Sequence, residues 1–277
     1  MDKFLYGCIY LSAAIAVSVL LMIICYVTVR GIGSVSLEFL TTVTSARKGT
    51  VGIAGNIVNT LYIIMITLVI ATPIGVGSAI YLNEYAKPGK IVRIIEFTTE
   101  TLSGIPSIIF GLFGSVFFGT TLKLGYSLLT GALTLSLMIL PLITRNTQEA
   151  LRTVPDSYRS GALGMGATKW HMIRTILLPS AMPGIITGVI LAIGRIVGES
   201  AALLFTAGSG YLLPKAGGWL SKILQPGGTL TIHLYLSSSK AEYNVAFGIA
   251  FVLLVIVLCI NFLTKYLAKR FDVTRMK

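Results

Sequence analysis

Residues Thr153–Pro179 read TVPDSYRSGALGMGATKWHMIRTILLP, a polar stretch between two long apolar runs. Thr153 is placed to cap a helix whose first turn holds Pro155 and Asp156: proline needs no amide partner there, and a carboxylate suits the positive helix end. That helix is expected to run to about Met165, where Gly166 supplies the left-handed turn that stops it. Thr168 then caps a second helix from Lys169, leading to Pro179 and the next apolar run. The expected result is two short helices at an angle, standing off a membrane. Gly161, Ala162, Gly164 and Gly166 remove bulk on the exposed turn, so another surface can approach the backbone closely. Ile176, Leu178 and Pro179 close the pattern. On residue types alone an amphipathic interfacial loop is the competing reading, since Trp170, His171 and Arg174 suit a headgroup layer.

The rest of the chain explains why such a loop would need a membrane beside it. Of 277 residues 55% are apolar and 12% charged, about half the charge of a soluble globular chain. Several apolar runs reach the ~20 residues that a bilayer core requires. They are Phe4–Val29, Ile57–Leu82, Thr101–Leu122, Leu124–Thr144, Ser180 to about Ala207, and Asn244–Thr264. The first is too long for a signal-peptide core and is read as a retained helix. The fold class is thus an all-α integral membrane protein with six transmembrane helices. It divides into an N-terminal helix and external segment (1–54), a transmembrane domain (55–268) and a basic tail (269–277).

The net charge of +12 invites a nucleic-acid reading, but the basic residues form no single patch. They gather at the ends of alternate runs, as the positive-inside rule describes. With both termini in the cytoplasm, Lys3, Lys87, Lys90, Arg93, Arg145, Arg152, Arg159, Lys169, Arg174, Lys265, Lys269, Arg270, Arg275 and Lys277 lie inside. Arg30, Arg47, Lys48, Lys123, Lys215, Lys222 and Lys240 lie outside. Two outside segments, 30–55 and 208–243, exceed simple turns. Within the second, Thr229–Leu236 is too short to span and reads as either an interfacial or a re-entrant helix.

Polar groups inside the runs are the candidate working residues. Arg195 and Glu199 are four apart and, on one continuous helix, share a face. Charges at that depth persist when paired or when they line a polar path. A structural ion pair and a polar gate both fit. Gly194 and Gly198 form a G-x-x-x-G that would admit a close helix neighbour. Arg145, at the end of the fourth run, is either a membrane anchor or a second path contact. Glu96 and Glu100 read as interfacial, and Asn56 and Asn59 as anchors of the second run. Cys8, Cys25 and Cys259 lie in apolar runs without C-x-x-C spacing, and His171 and His233 have no ligand-spaced companions. Neither a disulfide framework nor a metal site is expected, nor any cofactor.

The spacing Ser160-Gly161-Ala162-x3-Gly166-x9-Ile176-x-Leu178-Pro179 resembles the E-A-A-x3-G-x9-I-x-L-P loop of ATP-binding-cassette importer permeases, with Ser160 and Gly161 replacing the first Glu-Ala. A narrower resemblance covers residues 55–265. Arg195-Ile-Val-Gly-Glu199-Ser-Ala-Ala202-Leu-Leu-Phe-Thr-Ala207 is similar to the R-x-x-G-E-[ST]-A-P-L-L-F-T-A segment of phosphate-importer permeases, with Ala202 in place of Pro. Pro106–Leu112, Tyr81–Ala86, Pro141–Arg145 and Glu149–Pro155 match the same family's stretches. The chain resembles the Pst phosphate system, and its short N-terminus looks more like the PstA than the PstC type. The resemblance implies the MetI-like type I permease fold, with Ser160–Gly166 as the cytoplasmic coupling helix. It also implies a homologous second permease, an ATPase dimer, an external phosphate-binding protein and inorganic phosphate as the passenger. Permeases of molybdate or sulfate, and the PstC-type subunit, are the neighbouring alternatives. The chain has no G-x-x-x-x-G-K-[ST] loop, so it is a permease subunit and not itself an ATP-hydrolysing enzyme. A secondary transporter would call for inverted repeats with interrupted helices in both halves, and a membrane enzyme for a His-Asp, His-Glu or Cys-His cluster. Neither pattern is evident.

Overall fold

The computed structural model describes residues 2–45, 49–87, 89–214 and 218–271; for 2, 3 and 267–271 the description covers the backbone. The side chains of Lys3, Arg47, Lys48, Lys215, Lys269, Arg270, Arg275 and Lys277, and the expected tail beyond Phe271, lie outside the described residues. In chain order the elements are α1 (Asp2–Ile32), α2 (Leu37–Thr41), β1 (Val43–Ser45), β2 (Thr50–Ile53), α3 (Ala54–Ile80), α4 (Lys90–Gly104), α5 (Ser107–Gly114), α6 (Leu128–Arg152), α7 (Asp156–Gly164), α8 (Lys169–Met172), α9 (Leu178–Gly198), α10 (Ala201–Thr206), α11 (Leu230–Ser239) and α12 (Tyr243–Phe271). Wider π-helical turns continue α3 to Tyr85 and α5 to Thr121, and join α8 to α9.

Five stretches are long and apolar enough to cross a bilayer: Phe4–Ile32, Ala54–Tyr85, Leu128–Arg152, Lys169–Gly198 and Tyr243–Tyr266. The remaining expected span, the third run, is not straight. Lys90–Gly104 and Ser107–Thr121 meet at 101° across Ile105-Pro106, because the residue before proline is pushed out of the α region. The apolar run read as Thr101–Leu122 thus straddles a corner. A second correction concerns the fifth run. Its helix ends at Gly198, Glu199 is extended (φ −82°, ψ 124°), and α10 starts afresh at Ala201. The segment 30–55, expected to exceed a simple turn, holds α2 and an antiparallel pair of β1 with β2.

α6 is the central helix. Leu135, Ile139 and Ile143 are buried with Ile63 and Ala71 of α3 and Ala192 and Ile196 of α9. Glycine sets the distance. A Cβ on Gly75 of α3 would stand 2.8 Å from Ile143 Cγ2; on Gly184 and Gly188 of α9 it would stand 2.5 Å from Ala150 Cβ and 2.7 Å from Asn146 Cβ. The G-x-x-x-G that makes a close contact within this chain is therefore Gly184–Gly188. Among the described residues, nothing beyond the adjoining helix backbone lies within 4 Å of a Cβ built on Gly194 or Gly198. Two buried hydroxyls on α6 return to their own helix, Thr134 donating to Thr130 O at 2.8 Å and Ser136 to Ala132 O at 2.7 Å, whereas Thr147 Oγ1, buried on the same helix, has no hydrogen-bond partner among the described residues.

The segment after α10 is held by buried side chains of α3. Asn56 Nδ2 donates to Gly228 O (2.9 Å) and Asn59 Nδ2 to Gly210 O and Gly228 O (both 3.1 Å). Asn56 Oδ1 meets His233 Nδ1 at 3.0 Å, and Thr60 Oγ1 accepts from Leu230 N. α11, which takes in 230–236 with Thr229 as its cap, accordingly buries its first turn, with Leu230 and Ile232 fully buried, while Tyr235 is exposed. Lys222, counted as a solvent-side cation, is 1% exposed and donates to Pro226 O at 3.3 Å. Burial holds its pKa below the ordinary lysine value.

Adding a branched side chain at Gly188 should therefore cost about 1–3 kcal/mol by overpacking. Thermal unfolding in detergent should show a lowered midpoint for Gly188→Val, while Gly194→Ala leaves it unchanged or raised. An unchanged midpoint for Gly188→Val would overturn the glycine-set packing of α9 on α6.

Candidate functional site

The loop between α6 and α9 folds as two short helices, for reasons visible residue by residue. Thr153 does not begin the first; its Oγ1 donates to Ala150 O at 2.8 Å and finishes α6. Pro155, extended at φ −57° and ψ 142°, precedes Asp156 in the first turn of α7. Gly166 has φ +83° and turns the chain, and Thr168 Oγ1 accepts from His171 N at 3.3 Å to cap α8.

Ala162 does not lie on the exposed side. It is 3% exposed and packs into a cluster with Leu151, Val154, Met172, Ile173 and Leu177, against which Ile176 and Leu178 also rest. The closing Ile-x-Leu of the motif is thus framework, with Pro179 half-buried beside it. Ser160, Gly161, Gly164 and Gly166 are exposed, and a Cβ on any of these three glycines would meet open space. Around them Tyr158, Leu163, Met165 and Trp170 are also exposed, Met165 at 85%. Sequence reasoning noted the small residues and overlooked this apolar rim, whose signal was Leu163 and Met165 within a polar segment. Exposed apolar residues grouped on one turn are a usual sign of a contact surface.

A second overlooked group anchors that turn. Arg159 Nη2 lies 3.0 Å and Nε 3.3 Å from Glu84 Oε1. Its other donors reach Leu151 O (2.9 Å), Val154 O (2.8 Å) and Asp156 Oδ1 (3.0 Å). The side chains are 19% and 5% exposed. One guanidinium therefore ties α7 to the end of α3 and satisfies carbonyls at the end of α6, as its rigid fork of donors allows. Lys169 Nζ adds a contact over the Tyr85 ring at 5.0 Å. In the sequence Arg159 had been read as one more inside cation; its partner is 75 residues away.

Arg195 and Glu199 are not on one helical face, since α9 ends between them. Glu199 Oε1 accepts from Ala202 N at 3.0 Å and caps α10, and its carbonyl accepts from Thr231 Oγ1 at 2.9 Å. The Ala202 that departs from the family's proline is what supplies this N–H. Arg195 is exposed, and among the described residues it has no hydrogen-bond or ion-pair partner. Arg145 stands apart from both. Its Nη2 is 3.1 Å from Glu100 Oε1, and Arg152 Nη2 is 3.5 Å from Glu96 Oε1. The two glutamates read as interfacial thus latch α4 to α6.

The two broken helices lean on each other. A Cβ on Gly111 of α5 would stand 2.8 Å from Ala202 Cα of α10, and Phe110 and Leu203 lie in the same buried cluster.

Known proteins share this fold. The family model described as "Binding-protein-dependent transport system inner membrane component" matches residues 71–273. The chain is 36% identical to the probable ABC transporter permease protein YqgI of Bacillus subtilis, over 96% of this chain and 94% of that one. It is 32% identical to the phosphate transport system permease protein PstA of Haemophilus influenzae, over 95% and 92%. Among solved structures, a bacterial alginate ABC transporter bound to its periplasmic protein superposes with a TM-score of 0.71 at 14% identity, covering 98% of this chain and 96% of that one. The MetNI methionine ABC transporter gives 0.60 at 22% identity, covering 79% and 94%. With the apolar helices, the loop geometry and these matches together, the chain belongs to the binding-protein-dependent inner membrane components of ABC importers, among the permeases of the PstA type.

Proposed function

We propose that this chain is the permease subunit of an ATP-driven phosphate importer. It forms the translocation path with a homologous, PstC-type permease, receives phosphate from an external PstS-type binding protein, and couples to a cytoplasmic PstB-type ATPase dimer through the α7–α8 loop. Relatives named as phosphate permeases support the passenger. The observation that carries the reading is Arg195, a permanent cation on an otherwise apolar helix, without a partner among the described residues. An unpaired charge at such a position is costly, and a planar guanidinium offers two parallel donors to an oxyanion. Gly194 and Gly198 leave open space beside it. Glu199 acts differently, as the cap that fixes the break after α9. Arg145 enters only as a cation whose charge Glu100 already balances.

For coupling, the exposed turn of α7 is the contact with the ATPase. Arg159 and Glu84 carry its displacement to the ends of α6 and α3. Both termini and this loop face the cytoplasm in this reading, with 208–243 outside, as the distribution of Lys and Arg supports.

ATP-dependent uptake of labelled phosphate by liposomes holding this chain, its second permease and the ATPase tests the passenger, with sulfate and molybdate as controls. Arg195→Gln should lower phosphate uptake at least roughly tenfold, about 1.4 kcal/mol, in a complex that still assembles. Glu199→Gln keeps an acceptor for Ala202 N, so it should transport nearly normally and should not rescue Arg195→Gln. Near-normal uptake by Arg195→Gln would refute the path contact.

Gly166→Val forces a branched residue to φ +83°, a strain of about 1–3 kcal/mol. It should leave insertion intact and uncouple ATP hydrolysis from uptake. Arg159→Leu strands a buried carboxylate and should lower stability by about 3–5 kcal/mol. Adding Glu84→Leu should restore folding while coupling stays weak. Full coupling in that double variant would remove the Arg159–Glu84 link from the mechanism.

Orientation is read with single cysteines in a background lacking Cys8, Cys25 and Cys259. An impermeant reagent outside should label Glu38→Cys and Ser209→Cys and spare Tyr266→Cys; labelling of the last inverts the topology.

A further inference from the structure

Two cavities open beside the C-terminal half of α6 and share a wall. The larger, 460 Å³, has apolar walls that include Ile95, Leu102, Phe110, Leu137 and Leu140. The smaller, 250 Å³, is lined by Glu96, Glu100, Arg145, Gln148, Glu149 and Arg152. Leu82 and Thr99 line both. The pair therefore forms one amphiphilic space, with a greasy end between α3, α4, α5 and α6 and a charged end at the latch.

Its depth matches a membrane face. Counted from Leu128 along α6, Arg145 stands about 26 Å and Arg152 about 36 Å down the axis at 1.5 Å per residue. Those positions straddle the edge of a hydrocarbon core of about 30 Å, the level of headgroups.

The charged end is not complete within the chain. Gln148 is 7% exposed, and its buried Nε2 has no hydrogen-bond partner, although a buried amide donor left unpaired is costly. Glu100 and Glu96 each hold an arginine. Glu149 takes part in no ion pair among the described residues. The lining of two arginines and three glutamates thus carries one excess negative charge.

That charge decides among ligands with a phosphate group. A free phosphate, or the headgroup of an anionic glycerolipid, would add to the excess. A phosphoethanolamine headgroup supplies phosphate and ester oxygens for Gln148 Nε2 and the outer donors of the arginines, and an N–H-bearing ammonium for Glu149. A trimethylated ammonium has no proton to donate. We propose that these joined cavities bind one phosphatidylethanolamine molecule, its chain between α4, α5 and α6 and its headgroup against Gln148 and Glu149. Bound there, the lipid would brace the corner at Pro106, because it packs on both arms of the bent pair. The inference does not depend on which solute the permease moves.

The test uses the full chain, purified from membranes with the subunits that accompany it and stripped of loosely held lipid. It is offered equal amounts of dioleoyl phosphatidylethanolamine, phosphatidylglycerol and phosphatidylcholine, and retained lipid is read by native mass spectrometry. Phosphatidylethanolamine should be retained about fivefold over each of the others, the scale of one or two part-exposed charge contacts. Glu149→Gln should erase its advantage over phosphatidylcholine. Leu137→Trp, or Leu140→Phe where the first disturbs folding, should fill the groove and lower retention of all three lipids. Excess inorganic phosphate should displace nothing. Equal retention of the three lipids overturns the proposal, as does retention indifferent to Glu149→Gln and to the groove-filling variants. Displacement by inorganic phosphate assigns the charged end to a free anion instead. Loss of the second permease from the groove-filling variants with lipid retention unchanged assigns the groove to a subunit contact.

Discussion

The packing of α3 and α9 onto α6 is the constraint on which the rest of the structure depends. In a bilayer the hydrophobic effect does not distinguish lipid from protein, so helices associate by close contact. Gly75, Gly184 and Gly188 make that contact possible by removing the Cβ atoms that would strike Ile143, Ala150 and Asn146. Once the three axes are fixed, the loop that joins α6 to α9 must leave and re-enter at a short distance. Two small helices and a left-handed glycine accomplish this.

Charge then ties the loop to that framework. Arg159 reaches a carboxylate at the end of α3 and carbonyls at the end of α6, so α7 is not a free appendage. A displacement of its exposed apolar turn moves the guanidinium, and through it two of the three central helices. The same design recurs more loosely at α4, where two exposed ion pairs, Arg145–Glu100 and Arg152–Glu96, hold an amphipathic helix with no buried residue. Exposed pairs of this kind contribute about 0–1 kcal/mol each. α4 is therefore the less firmly held of the two, and a ligand that completes the polar cavity beside it would matter most there.

The breaks at Pro106 and after Gly198 carry the chemistry of the membrane interior. Interrupted helices expose backbone groups that must be satisfied inside the protein. Glu199 does so for α10, and the absent side chain of Gly111 lets the two interruptions come together. Arg195 stands at the end of this arrangement with its donors free of the described residues.

Apolar length, the count of basic residues and the loop spacing were legible in the sequence, because each is a local or periodic property. They determined a membrane protein with about six spans, a two-helix loop stopped at Gly166, and membership in the importer permeases. The bend at Pro106 was written in an Ile-Pro step, but a continuous apolar run concealed it. Only the tertiary structure decided which charges meet. Glu84 finds Arg159 across 75 residues and Glu100 finds Arg145 across 45. Glu199, four residues from Arg195, leaves it for a helix cap, because a backbone break rotates it off the shared face. It likewise decided which G-x-x-x-G is used, since identical spacings at 184–188 and 194–198 differ in whether another helix stands opposite. Helical period tells which residues share a face; what that face meets depends on the packing of helices distant in the chain.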